Sequence, residues 1–178
     1  MKHLCSRRML AYEVRNILGN PFIPFFGIVF PILMLFLISR VVTQDVPEYM
    51  VSEVNTSVFL TMSLIIPMAV LLLGYSAAYS QELEKQIPLR MKLFGYSQKQ
   101  TLSARIAAQM LVLTSGLILY TAIGYFALEI EVPKASSAVC LIVCIYVLGI
   151  IFIVLAHAVA NLLGKFGPTY AAMMIFYP

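Results

Sequence analysis

The chain has 178 residues, of which 61% are hydrophobic and only 11% are charged, and its mean hydropathy is +0.92. Soluble domains are about half apolar and about a quarter charged, so this composition excludes an ordinary water-soluble globule and predicts an all-α integral membrane protein. The formal net charge is +4. Because the basic residues stand between apolar segments and form no continuous basic face, they favour contact with membrane lipid and exclude nucleic acid as a partner.

The first 20 residues predict a short amphipathic helix at the cytoplasmic face of the membrane. Apolar residues recur there at helical spacing, namely Leu10, Val14, Ile17 and Leu18. The alternative is a solvated basic tail that only fixes the orientation of the chain. We expect neither signal-peptide processing nor lipid attachment at Cys5, because no hydrophobic stretch precedes it.

Four long apolar segments predict membrane-spanning helices. They cover about 22–42, 57–79, 102–128 and 135–163, and each has at least the roughly 20 residues needed to cross the hydrocarbon. Pro31 and Pro67 stand inside the first two, where they predict kinks. A fifth apolar segment, 169–178, has ten residues, about half a crossing, so we expect the chain to be a piece of a longer protein.

Basic residues are unevenly divided between the two sides of these helices. Ten of the twelve Lys and Arg residues fall in the N-terminal segment, in the connection between the second and third helices, or after the fourth helix. The two other connections hold five of the eight acidic residues. Because loops rich in Lys and Arg stay in the cytoplasm, we expect a multi-pass protein with its N-terminus on the cytoplasmic side.

Few side chains are suited to catalysis or to metal binding. His3 and His157 are the only histidines, and packing of His157 or its hydrogen bond to another helix is favoured over a functional role. Cys140 and Cys144 share a helix face without a further ligand type nearby, so we expect apolar packing. No ATPase or hydrolase motif is present. We expect no enzyme activity, no metal and no cofactor bound by this chain.

The acidic residues lie at or beyond the ends of the predicted helices, Glu82 and Glu84 among them. A proton-driven pump needs ionisable residues within its membrane helices. We therefore do not expect an autonomous secondary transporter, and any transport would take its energy from another subunit.

Residues 81–105 read QELEKQIPLRMKLFGYSQKQTLSAR and mix charged with apolar side chains. The pattern predicts a short amphipathic helix, a turn at Gly95-Tyr96-Ser97, and a second helix capped near Ser97 or Thr101. Such a helix lies on the membrane surface or enters a groove of a partner. The alternative is a helix that only closes the bundle.

This segment resembles the loop between the second and third spans of type-2 ABC exporter permease subunits. In that family the loop begins with acidic residues, continues through a basic and apolar helix and a Gly/Pro-x-Ser turn, and enters the third span at a basic residue. The residues that match this outline are Glu82, Glu84, Arg90, Leu93, Gly95, Ser97 and Arg105. The order of the other segments also fits, so the resemblance covers essentially the whole chain as one permease domain, 1–178.

The chain departs from the family pattern in two places. Lys85-Gln86 stands where a Gly-Thr pair often follows the acidic residues, and the chain ends within the fifth of the usual six spans.

The resemblance implies the membrane subunit of an ATP-driven exporter in the cell membrane of a bacterium. Two permease copies, identical or different, would pair and bind two cytoplasmic ATP-binding subunits, which hold ATP and Mg. The coupling segment would contact those subunits through Glu82, Glu84, Arg90, Leu93, Phe94, Gly95, Tyr96 and Ser97. The substrate path would run past Thr61, Ser63, Pro67 and Ser76.

A second reading comes from a different functional class. Apolar helices with few charges also suit an ATP-independent binding or immunity protein that sequesters a hydrophobic peptide or drug. The two readings differ in whether the activity requires a separate ATPase.

Overall fold

The computed structural model describes residues 7–128 and 130–175, apart from the side chain of Phe22. Helices make up almost all of this part of the chain, and no strand occurs within it. The predicted all-α class is therefore confirmed. His3 and Cys5 lie outside the described residues.

Seven helices follow one another in the described residues, and two of them contain π-helical turns. α1 is Arg7–Gly19. α2 comprises the α-helical stretches Phe22–Pro24 and Phe30–Thr43, with the π-helical turn Phe25–Val29 between them. α3 comprises the α-helical stretches Glu48–Ser63, Ile65–Pro67 and Tyr75–Glu84, with the π-helical turn Met68–Gly74 before the last of them. The remaining helices are α4 (Ile87–Leu93), α5 (Gln98–Ala127), α6 (Ala135–Leu163) and α7 (Phe166–Met174). Four of the seven, α2, α3, α5 and α6, are long and apolar enough to span a membrane.

The helix bounds agree with the predicted apolar segment at α6 and, to within one residue, at α2. α3 begins at Glu48, before the predicted apolar segment at residue 57, because Pro47 sets an extended backbone just before the first turn and the polar turns that follow are helical without being apolar. α5 begins at Gln98, before the apolar segment at residue 102, because Ser97, one of the two predicted cap positions, forms a capping box with Gln100. α7 begins at Phe166, before the predicted residue 169.

α3 lies at the centre of the bundle. About half of its apolar stretch is buried, whereas only 17–33% of the apolar stretches of α2, α5 and α6 is buried. The residues from Ala69 to Gly74 are all buried, and they contact α2, α5, α6 and α7. The fold therefore surrounds one central helix with apolar helices whose outer faces remain exposed.

Both prolines inside the long helices stand next to π-helical turns. Pro31 follows the turn Phe25–Val29, in which the Phe30 N–H donates to the Phe25 carbonyl five residues earlier, and Pro67 precedes the turn Met68–Gly74. A proline removes one N–H donor, and its ring presses on the preceding turn, which the wider turn before Pro31 accommodates. A widened stretch of helix therefore accompanies both Pro31 and Pro67.

The predicted N-terminal amphipathic helix is present as α1, which packs on α5. Its buried face carries Met9, Glu13 and Ile17. The predicted apolar face is displaced from this one, since Leu18 is half exposed. The displacement arises because the buried face includes an acidic residue, which a hydrophobicity pattern assigns to the outside.

Candidate functional site

The connection between α3 and α5 forms the predicted helix and turn. Gln86 adopts a left-handed backbone conformation with φ 57°, and Pro88 stands in the first turn of α4. Gly95 also has a positive φ, 87°, a conformation that residues with a side chain rarely adopt. The Ser97 side chain then accepts from the Gln100 N–H at 3.2 Å and begins α5. Of the two predicted cap positions, Ser97 is the one used.

Most of the predicted partner-contact residues are exposed on this connection. Leu93 and Phe94 at the end of α4 are 80% and 81% exposed. The other exposed members of the set are Glu84, Arg90, Gly95, Tyr96 and Ser97. The structure therefore brings seven of the eight together on one accessible connection, while their contact with a partner stays a prediction.

Glu82, the eighth residue, is buried in an ionic cluster. Arg105 Nη2 donates to Glu82 Oε2, and Arg105 Nε donates to Glu13 Oε2 at 3.4 Å. Asn16 Nδ2 donates to Glu82 Oε1 at 2.9 Å. The exposed fractions of Glu13, Glu82 and Arg105 are only 1%, 6% and 7%. One arginine thus joins α1, α3 and α5 through two buried carboxylates.

Glu13 was not among the predicted site residues, and Glu82 was predicted to lie at a helix end. Glu82 is covered because it lies against Asn16 of α1 and Arg105 of α5, long-range contacts that hydropathy does not reveal. A signal for Glu13 was present, since Met9, Glu13 and Ile17 follow a four-residue spacing that places them on one helix face. A buried acidic pair is therefore present where the sequence analysis expected none.

Burial raises the pKa of Glu13 above its ordinary value. The Arg105 guanidinium acts in the opposite direction, and the second carboxylate, Glu82, raises the pKa further. Burial is the largest of these effects.

An aromatic network extends the cluster toward α6. The Arg105 guanidinium carbon lies 4.9 Å from the centroid of the Tyr79 ring, and that ring stacks on His157 with centroids 4.7 Å apart. The Tyr75 hydroxyl and His157 Nδ1 are hydrogen-bonded at 2.8 Å, and the Tyr79 hydroxyl donates to Asn161 Oδ1 at 3.2 Å. The favoured prediction for His157, a hydrogen bond to another helix, is confirmed.

A cavity of about 330 Å³ lies beside this network. Its lining includes Tyr96 and Lys99 from the connection and the start of α5, together with Tyr79, Arg105 and His157. The exposed connection and the buried cluster therefore border the same space.

The four residues predicted to line a substrate path are spread along α3. The Thr61, Ser63 and Ser76 hydroxyls each donate to a carbonyl of their own helix, at 2.9, 2.7 and 3.0 Å. Ser63, Pro67 and Ser76 are buried, while Thr61 is exposed. At about 1.5 Å rise per residue, Thr61 and Ser76 lie roughly 22 Å apart. The structure does not bring these residues together, and the path stays a prediction.

Cys140 and Cys144 are both exposed on α6, so the expected packing does not take place inside the described bundle. Within the part of the chain that the structure describes, no three His, Cys, Asp or Glu side chains are grouped to hold a metal ion.

Comparisons with protein-family models, with curated proteins and with solved structures find no match for this chain. Its function is therefore argued from its own residues.

Proposed function

We propose that this chain is the membrane-spanning permease subunit of an ATP-driven exporter, and that α4 with the turn after it docks on a separate cytoplasmic ATP-binding subunit. Leu93 and Phe94 are the observation that carries the proposal. These two large apolar side chains are about four-fifths exposed at the end of a short helix. Such side chains typically anchor a helix in a groove of a protein partner.

The bilayer placement rests on the outer faces of the long helices. The exposed side chains of α6 include Val139, Val147 and Val154, and those of α2 include Leu33 and Leu37. Such continuous apolar faces are unfavourable in water and suit lipid. The excess of Lys and Arg around α1, α4 and the start of α5 orients that end of the bundle toward the cytoplasm.

The ionic cluster supports a mechanical role for the connection. Movement of α4 pulls on the ends of α3 and α5, and the contacts of Arg105 with Glu82 and Glu13 tie those ends to each other and to α1. A displacement of α4 is thereby transmitted to α1, α3 and α5. Earlier in α3, the widened turn Met68–Gly74 after Pro67 is a place where a helix bends readily.

The test is recovery of an ATPase with the chain purified in detergent from its native membrane. We expect a cytoplasmic ATP-binding protein and its ATPase activity in the eluate. The double variant Leu93→Ala/Phe94→Ala should lower both the recovered protein and its activity by at least about tenfold, because a central apolar anchor typically contributes about 2 kcal/mol or more to binding. The matched control is Phe126→Ala/Val132→Ala, which removes two apolar side chains that are 93% and 83% exposed near the other end of α5.

The control should retain wild-type recovery. Recovery without an ATPase, or an equal loss in both double variants, would count against docking through α4.

The ATP-independent alternative is favoured by one further observation, an apolar cavity of about 360 Å³ between α2, α3 and α7. Ile23, Phe26, Leu73, Tyr170 and Met174 are among the residues that line it. A cavity of this size and lining suits part of a hydrophobic ligand. Protection against a toxic hydrophobic compound in cells that lack every partner ATPase would favour this alternative over the exporter.

A further inference from the structure

The buried ionic cluster contains more acid than base. Glu13 and Glu82 together face one guanidinium, that of Arg105, and all three residues are more than nine-tenths buried. If both carboxylates were ionised, the cluster would bury a net negative charge. An uncompensated charge is among the least favourable groups to bury, and a carboxyl group avoids this by taking a proton.

The hydrogen bonds distinguish the two carboxyl groups. Both oxygens of Glu82 accept, one from Asn16 and the other from Arg105, and these donors stabilise the ionised form. Glu13 Oε2 has only the longer contact with Arg105, and its Oε1 atom is buried with no hydrogen-bond partner among the described residues. An ionised Glu13 would leave half of its negative charge on a buried oxygen that accepts no hydrogen bond from the described residues.

We propose that Glu13 holds a proton at neutral pH, so that Glu13, Glu82 and Arg105 form a proton-binding site that links the attachment of α1 to pH. The proton comes from the solvent and adds to the Glu13 carboxylate, which becomes a neutral carboxylic acid. Glu82 and Arg105 then remain as a balanced ion pair. The proton site is independent of whether an ATPase binds α4.

The groups around Glu13 act consistently with this assignment. Glu82 of α3 repels a second negative charge, and Arg105 of α5 is shared between the two carboxylates. On α1 itself the nearest titratable neighbour is Tyr12, whose pKa is raised by burial and by the two carboxylates. Behind Arg105 stand Tyr79 and the hydrogen-bonded Tyr75 and His157.

The direction of the pH effect follows from the raised pKa of Glu13 in the packed state. Because the pKa of Glu13 is higher when α1 is packed, packed α1 binds more protons than detached α1. The stabilisation that Glu13 gives to the attachment of α1 is therefore complete at pH values below the ordinary glutamate pKa. It is lost as the pH rises through the raised pKa of Glu13 in the packed state. Alkaline conditions therefore loosen α1 from α5. Glu13→Gln, which resembles the protonated acid in shape and charge, removes this dependence.

The test is infrared spectroscopy of the full chain in detergent, titrated over pH. A protonated carboxylic acid has a C=O stretch separate from the carboxylate bands. We expect wild type to show this band at neutral pH, Glu13→Gln to lack it, and the matched control Glu84→Gln, an exposed acid beside the cluster, to retain it. Glu82→Gln leaves Glu13 as the only carboxylate on Arg105, so this variant should also lose the band.

Hydrogen–deuterium exchange of the α1 amides, corrected for the intrinsic pH dependence of exchange, tests the link to attachment. Protection should fall as pH rises in wild type and in Glu84→Gln, and it should stay constant in Glu13→Gln. Absence of the acid band in wild type at neutral pH, its persistence in Glu13→Gln, or identical exchange profiles in wild type and Glu13→Gln would overturn the proposal. If Glu13→Gln does not fold, retention of the band in Glu82→Gln would overturn it.

Discussion

Asn16 of α1 donates a hydrogen bond to Glu82 at the end of α3, with 2.9 Å between Nδ2 and Oε1, although the two residues are 66 positions apart in the chain. This bond and the contact of Arg105 with Glu13 hold α1 against the bundle by polar groups. The amphipathic pattern of α1 alone would predict only apolar attachment.

Replacing Asn16 tests the bond directly. We expect Asn16→Ala to lower the free energy of unfolding by about 1–3 kcal/mol, because a buried carboxylate oxygen loses its donor. Thermal unfolding of the chain in detergent measures the change. Arg15→Ala, at the neighbouring exposed position of α1, is the control and should stay within about 0.5 kcal/mol of wild type. Equal effects of the two substitutions would show that the bond contributes nothing to stability.

Arg105 is the only base in the described cluster, and its removal should be the most damaging change there. We expect Arg105→Met to destabilise the chain by about 3–5 kcal/mol, since it leaves two acids buried without a cation. Adding Glu13→Gln and Glu82→Gln to Arg105→Met should recover part of this loss, because neutral amides carry no unpaired charge. Denaturation in detergent compares the variants. Purely additive losses in the triple variant would contradict this account of the cluster.

Gly27 of α2 lies against the widened turn of α3. A Cβ atom at this position would lie 2.4 Å from Val70 Cγ2, far inside van der Waals contact. We expect Gly27→Ala to lower the free energy of unfolding by about 1–3 kcal/mol through overpacking. The control is Gly167→Ala, where an added Cβ meets nothing within 4 Å. If thermal unfolding in detergent changes equally in both variants, close packing at Gly27 is not the cause.

The Tyr75 hydroxyl links α3 to His157 of α6. Tyr75→Phe removes this hydroxyl and leaves the ring, so we expect a loss of about 1 kcal/mol, the usual net value of one hydrogen bond. Tyr49→Phe, at a tyrosine that is 84% exposed, is the matched control and should leave stability unchanged. A combined Tyr75→Phe/His157→Phe variant measures the coupling between the pair. A coupling free energy near zero would contradict the hydrogen bond.

Local sequence determined which parts of the chain became helices. The bounds of α6 match the apolar run from Ala135 to Leu163, and the start of α5 at Ser97 follows from a capping box whose two partners are three residues apart. These features depend on the periodicity of hydrophobic residues and on short-range hydrogen bonds, and both can be predicted from a single segment of the sequence. The start of α3 was missed because its first turns at Glu48 and beyond are helical but polar.

Only the tertiary structure decided which polar residues are buried. Glu13 and Glu82 are far apart in sequence, and each has the polarity of a surface residue when it is taken alone. They become buried because α1 packs on α5 and contacts the end of α3 through Asn16, so that one guanidinium can contact both carboxylates. The free energy of burying an acid depends on its charged partners, and those partners are brought together only by packing of distant helices.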